Sequence, residues 1–184
     1  FETPLAGRHN LQNALAALAA GDLLGLAPER LAGGMRTFRG VRRRLEVFHE
    51  ARGIVFVDDF AHHPTAIRET IAAARMRWPG RRLWALFEPR SNTTVTNLFQ
   101  KEMQEAFSGA DLLWMGTIHR IEKIPPEKRL DREAIARELE RGGMTLARAA
   151  SGVEEILASL QAQAREGDLV LILSNGAFGG IYEK

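Results

Sequence analysis

Ile54-Val55-Phe56-Val57-Asp58-Asp59-Phe60-Ala61-His62-His63-Pro64-Thr65 decides the fold. Its apolar, β-forming start reads as a buried strand and its two carboxylates end that strand. Pro64 then opens a helix, because a proline at the first helical position gives up only an amide that would lack a partner anyway. The helical pattern runs to Arg77, where Trp78-Pro79-Gly80 stops it. Downstream the same unit repeats, with strands expected at 83–87, 111–115, 144–148 and 168–173 and helices at 97–107, 132–141 and 153–164. These strands show little polar alternation, so both faces of the sheet are covered. The fold class is therefore α/β, a doubly wound, Rossmann-like and mostly parallel sheet with right-handed crossovers. Upstream, 45–49 and 54–58 flank Glu50-Ala51-Arg52-Gly53 and read as an antiparallel edge hairpin. Before it lie helices expected at 10–20 and 28–35. The boundary between this helical segment and the main domain is placed near Gly40 to Leu45, giving units 1–42 and 43–184.

The composition bounds the function. The 184 residues are 45% hydrophobic and 26% charged, an ordinary globular balance. The net charge of +2 is scattered apart from Arg42, Arg43 and Arg44, which argues against a nucleic-acid surface. No stretch is long and apolar enough to span a membrane, and the start has no signal-peptide layout. The lack of cysteine excludes disulfide and thiolate chemistry and fits a cytoplasmic setting. The chain opens at Phe1 within a stretch that already reads as functional, so a longer polypeptide is expected.

In doubly wound sheets ligands sit beyond the carboxyl ends of the strands. The polar loops at 58–64, 88–94 and 174–180 all fall there, and they are expected to open onto one shared cleft. In the first, the carboxylates of Asp58 and Asp59 could hold a ribose or a metal-bound water and an imidazole, His62 or His63, could contact phosphate, while the same residues could equally serve as a helix cap and a solvated loop. Adjacent histidines rarely converge on one metal, so no metal site is expected. In the second, Arg90 offers a planar fork for a carboxylate, with Ser91, Asn92 and Thr93 as hydrogen-bonding neighbours; a surface loop is the alternative. In the third, Ser174, Asn175, Gly176 and Phe178 form a glycine-rich turn that either approaches a ligand or merely turns the chain. Near the start, Asn10 and Asn13 lie one helical turn apart and could read a purine edge, or Asn10 could cap the helix.

Taken in order, these stretches resemble the Mur ligase family of ATP-dependent amide-forming enzymes. G-R-H-N-x-x-N-A at 7–14 is similar to the last helix pair of that family's central domain. G-x-x-x-R-x-E at 40–46 is similar to its interdomain linker, and D-D-F-A-H-H-P-T at 58–65 to the first loop of its C-terminal domain. Within the family, F-E-P-R-S-N-T at 87–93 and S-N-G-A-F-G-G at 174–180 look most like the members that join recycled wall tripeptide to UDP-N-acetylmuramate, although Ala177 stands where glycine is expected.

The resemblance implies ATP and Mg2+ as cofactors. Asn10, Asn13, Arg44 and Asp59 would lie at the nucleotide and His62 towards the phosphates, with His62 and Asp59 on the catalytic side. Arg90, Ser91, Asn92, Thr93, Ser174, Asn175, Gly176 and Phe178 would lie at the incoming peptide. It implies UDP-N-acetylmuramate and tripeptide as substrates, the enzyme's N-terminal and central domains as partners, and a cytoplasmic location. The G-x-x-x-x-G-K-[ST] phosphate loop is absent from these residues, so the chain alone is expected to be inactive. A UDP-N-acetylmuramate:L-alanine ligase, a folylpolyglutamate-synthase-like enzyme and a non-catalytic nucleotide-binding α/β domain are the competing readings.

Overall fold

The computed structural model describes residues 1–183. Six strands form one sheet in the order β1-β2-β6-β3-β4-β5. They are β1 (Glu46–Ala51), β2 (Ile54–Asp59), β3 (Arg82–Phe87), β4 (Leu112–Met115), β5 (Leu146–Ala149) and β6 (Asp168–Leu173). Only the β1–β2 hairpin is antiparallel. The helices are α1 (Arg8–Leu23), α2 (Pro28–Thr37), α3 (Pro64–Arg77), α4 (Gln100–Ala106), α5 (Arg132–Arg141) and α6 (Val153–Gln163).

The period-2 alternation of a strand explains why the central strands are apolar throughout. On β3, Leu83, Ala85 and Phe87 join the core beneath α3, α4 and α5, while Trp84 and Leu86 join the one beneath α6. On β6, Leu169, Leu171 and Leu173 face the first layer, and Val170 and Ile172 the second. Each fully buried Leu or Phe stabilises the fold by about 1.5–3 kcal/mol relative to exposure. Strand β6 lies between β2 and β3, and every residue in it is buried.

At the amino end of β6, away from the polar rim, Asp168 accepts from Arg82 Nη2 at 2.7 Å, Arg82 Nε at 2.9 Å and Trp84 Nε1 at 2.9 Å. Burial alone would raise this carboxyl. Arg82, the Arg165 amide and the Trp84 indole together outweigh that and hold it below the usual carboxylate value.

The helical segment packs loosely by comparison. Gly21 is the only buried residue of α1, α2 has none, and Leu11, Leu15 and Leu23 are exposed. It meets the main domain where α1 begins: a Cβ on Gly7 would lie 2.6 Å from that of Ala73 on α3, so only glycine allows this approach.

Helices α3 and α5 and strand β6 have the expected bounds. Other bounds shift by a few residues, as for α1 and β5, and three features differ in kind. The hairpin turn is the pair Arg52-Gly53, both with positive φ, and Glu50 and Ala51 belong to β1. The expected helix at 97–107 opens with a tight 3-10 turn, Asn97–Phe99, before α4. The stretch between β4 and α5, with no periodicity to read, forms two short 3-10 turns, Ile121–Lys123 and Pro126–Lys128. Pro125 and Pro126 lack the amide hydrogens that a longer helix would need.

Candidate functional site

The polar loops meet on one rim of the sheet. The Ser174 amide donates to the Asp59 carbonyl at 3.2 Å, and the Glu88 amide to the Leu173 carbonyl at 3.0 Å. The Ser174 hydroxyl also donates to the Glu88 carboxylate. Farther along, the Gly116 amide donates to the Phe87 carbonyl at 2.8 Å and that of His119 to the Pro89 carbonyl at 2.9 Å. The adjacent strands β6 and β3 lead to opposite faces of the sheet, the kind of switch point at which such folds open a crevice. The expected single cleft is nevertheless two, because different loops wall off each one.

The first cleft, of about 1020 Å³, lies between the helical segment and the β2–α3 loop. Asn10, Asn13, Arg44 and Asp59 all line it. Asn10 donates its side-chain amide to the Ala6 carbonyl at 2.7 Å, so it braces the start of α1; Gly7, not Asn10, is the N-cap. Asn13 is exposed. The Arg44 guanidinium has no ion pair among the described residues and lies 5.8 Å from the centre of the Phe60 ring.

Asp59 is 3% exposed, and three donors hold it: the Leu45 amide at 2.8 Å, the Ala61 amide at 2.8 Å and the Thr70 hydroxyl at 3.2 Å. Burial pushes its carboxyl above the usual range, against the opposing pull of those bonds and of Arg44. Of the two adjacent histidines, His63 lines the cleft. His62 does not: its Nδ1 lies 2.9 Å from the Phe60 carbonyl and its ring packs edge-on against Phe60. His9 also lines the cleft, and its Nδ1 is buried without a partner.

The second cleft, of about 570 Å³, is lined by Arg90, Asn92 and Asn175 together with His119, Arg120, Lys123 and Lys128. Arg90 lies across Gly176, where a Cβ would come within 2.4 Å of its Nε. A side chain at 176 would push Arg90 out of this position. Its only charged partner among the described residues is Glu88, at a long 3.4 Å. The Ser91 hydroxyl lies 2.7 Å from that of Thr94 and 3.1 Å from that of Thr93, which fixes the turn. Ser174 is fully buried and accepts from the Gly176 amide at 2.9 Å. Phe178 is 2% exposed and its ring fills the space over Gly116, so it anchors the loop from within the core.

Two sets of residues were missed in the sequence. Arg43 donates to Asp58 at 2.8 Å and to the Ser174 carbonyl at 2.7 Å, tying the interdomain linker to the glycine-rich loop. Tyr182 donates to the other Asp58 oxygen at 2.8 Å, and burial followed by Asp58 raises its hydroxyl above the usual value. The basic residues at 119–128 form the second set; their signal was a cluster of cations in a stretch with no secondary-structure period. Among the described residues no group of three or more His, Asp or Glu is arranged to hold a metal, and no helix is long and apolar enough to cross a membrane.

The architecture and its clefts define a doubly wound α/β domain that presents polar loops along one rim. The family described as Mur ligase, glutamate ligase domain, matches residues 43–176, and the chain belongs to the Mur ligase family. It is 39% identical over 173 residues to a UDP-N-acetylmuramate–L-alanine ligase of Symbiobacterium thermophilum, covering 94% of this chain and 36% of the relative. It is 36% identical over 181 residues to the UDP-N-acetylmuramate–L-alanyl-gamma-D-glutamyl-meso-2,6-diaminoheptandioate ligase of Escherichia coli, covering 98% and 37%. The crystal structure of a murein peptide ligase from Psychrobacter arcticus superposes with a TM-score of 0.73 at 30% identity, covering 99% of this chain and 37% of that one. The chain thus spans little more than a third of these relatives. Both kinds of ligase are similar to it.

Proposed function

We propose that residues 43–184 are the C-terminal domain, and residues 1–42 the helical end of the central ATP-binding domain, of a ligase that joins L-Ala-γ-D-Glu-meso-diaminopimelate to UDP-N-acetylmuramate. The observation that carries this reading is the Arg90 guanidinium. It is seated on Gly176 with one long ion pair and shares its cleft with Asn92 and Asn175. A planar fork with most of its donors free suits a carboxylate-bearing amine substrate.

In this reading the muramate carboxylate takes the γ-phosphoryl group of ATP to give an acyl phosphate. The alanyl amine then forms the amide and phosphate leaves. The first cleft fits the nucleotide's base and ribose: Asn13 is exposed, Arg44 lacks an ion pair, and the buried His9 Nδ1 has no partner. Mg2+, held by residues outside this chain, would neutralise phosphate charge. What these residues supply is position. Arg90 and the loops at Asn92 and Asn175 hold the amine substrate on the same rim as the nucleotide cleft, and closure of the linker excludes water.

The similarity to alanine ligases supports a second reading, with free alanine as the amine. Steady-state kinetics of the intact ligase separate the two. The tripeptide is expected to show a kcat/KM roughly 100-fold or more above that of alanine, within the range a site built for polar groups reaches. A preference for alanine would replace the tripeptide reading.

A further inference from the structure

We propose that the segment between β4 and α5 reads the far end of the amine substrate, with Arg120, Lys123 and Lys128 forming a cationic wall for the carboxylates most distant from the reacting amine. The inference rests on the peptide-ligase reading above and names the part of the chain that distinguishes an extended peptide from a single amino acid.

Five observations carry it. The wall faces the same cleft as Arg90 and Asn175. Its three cations make no ion pair among the described residues, whereas Arg90 has Glu88; Glu122 and Glu127 of the same segment do not line the cleft. Cations gathered on one concave surface without counter-charges favour an anionic occupant.

The segment is also held in place against the Arg90 loop. The His119 amide bonds the Pro89 carbonyl, the Leu130 amide bonds that of Val95 at 3.1 Å, and Asn97 bonds that of Glu127 at 2.9 Å. Thr96 and Arg129 form a β-bridge. These contacts fix the wall at a set distance from the Arg90 loop.

The topology sets the scale. From β2, which carries the nucleotide cleft, the rim passes β6 and β3 before reaching β4. Three strand spacings of roughly 4.8 Å make about 14 Å. An extended tripeptide covers about 10 Å at roughly 3.3–3.6 Å per residue, and a γ-glutamyl link lengthens it. A single alanine held beside the nucleotide would not reach β4.

Finally, Asn175 lines this cleft, and its side-chain oxygen is buried there without a donor. The ligand that suits the cleft carries N–H groups as well as several carboxylates, which is the chemistry of an acidic peptide.

The test compares, in the intact ligase, the tripeptide ending in meso-diaminopimelate with its analogue ending in lysine, which lacks the distal carboxylate. Lys123→Ala/Lys128→Ala is expected to raise KM for the diaminopimelate peptide roughly tenfold or more, with KM for the lysine peptide and for ATP changed less than about twofold. Lys123→Arg/Lys128→Arg, which keeps both charges, is expected to restore most of the loss. An unchanged KM for the diaminopimelate peptide, or equal rises for both peptides, would overturn the wall while leaving the peptide-ligase reading standing. A wild-type enzyme that uses alanine and neither peptide would remove that reading and the wall with it.

Discussion

Arg90→Ala in the intact ligase is expected to lower kcat/KM for the tripeptide roughly 100-fold, with KM for ATP held within about twofold. Hydrogen bonds to charged groups contribute about 1.5–3 kcal/mol, and each 1.4 kcal/mol is a factor of about ten. Arg90 is suited to so large an effect because Glu88, its one charged partner among the described residues, is 3.4 Å away and its side chain lies close over Gly176. Arg90→Lys should recover part of the loss, since a lysine keeps the charge but not the fork. The effect should fall on the amine substrate alone, because Arg90 lines the second cleft and not the first. Equal losses for ATP and peptide would contradict the division of the rim into two clefts.

Asp59→Ala is expected to cost about 2–3 kcal/mol of stability, a fall in Tm of roughly 5–10 °C for a domain of this size. The Leu45 and Ala61 amides and the Thr70 hydroxyl would lose their acceptor in a buried setting. Relief from burying the carboxylate offsets part of that loss, which keeps the estimate below the sum of three lost bonds. Because Leu45 lies in the linker and Ala61 precedes α3, the same change should loosen the wall of the first cleft. An unaltered Tm would show that Asp59 does not hold this junction together. Asp59→Asn, which can still accept at one oxygen, should fall between the wild type and Asp59→Ala.

The sequence was most informative where a local signal had a single physical outcome. Pro64 and Trp78-Pro79-Gly80 bracket α3 at its observed bounds, and the unbroken apolar run of β6 reads directly as a central strand. The antiparallel edge was legible as well, but its turn was not. Glu50 and Ala51 look like loop residues, and only the paired positive φ angles of Arg52 and Gly53 show that two residues suffice. The order of the strands also stayed hidden: nothing local in 168–173 reveals that β6 inserts between β2 and β3.

The site divides in the same way. Asn10, Asn13, Arg44 and Asp59 come from three separate stretches and line one cleft. Side-chain direction was beyond reach, because adjacent residues such as His62 and His63 carry the same chemistry and only the path of the loop aims one of them into the cleft. Phe178 looked like a contact residue in a glycine-rich turn, yet its ring is enclosed by the core. Arg43 hid within three consecutive arginines, of which it alone reaches Asp58 and the Ser174 carbonyl.

The central claim is that one rim of this sheet holds a nucleotide at the linker and a carboxylate-bearing amine substrate at Arg90. A crystal structure of the intact ligase with a non-hydrolysable ATP analogue and the tripeptide tests it most directly. The account predicts the base and ribose beside Asn13 and Arg44, and a peptide carboxylate within hydrogen-bonding distance of the Arg90 fork above Gly176. A peptide bound elsewhere, with Arg90 turned away from it, would contradict the account.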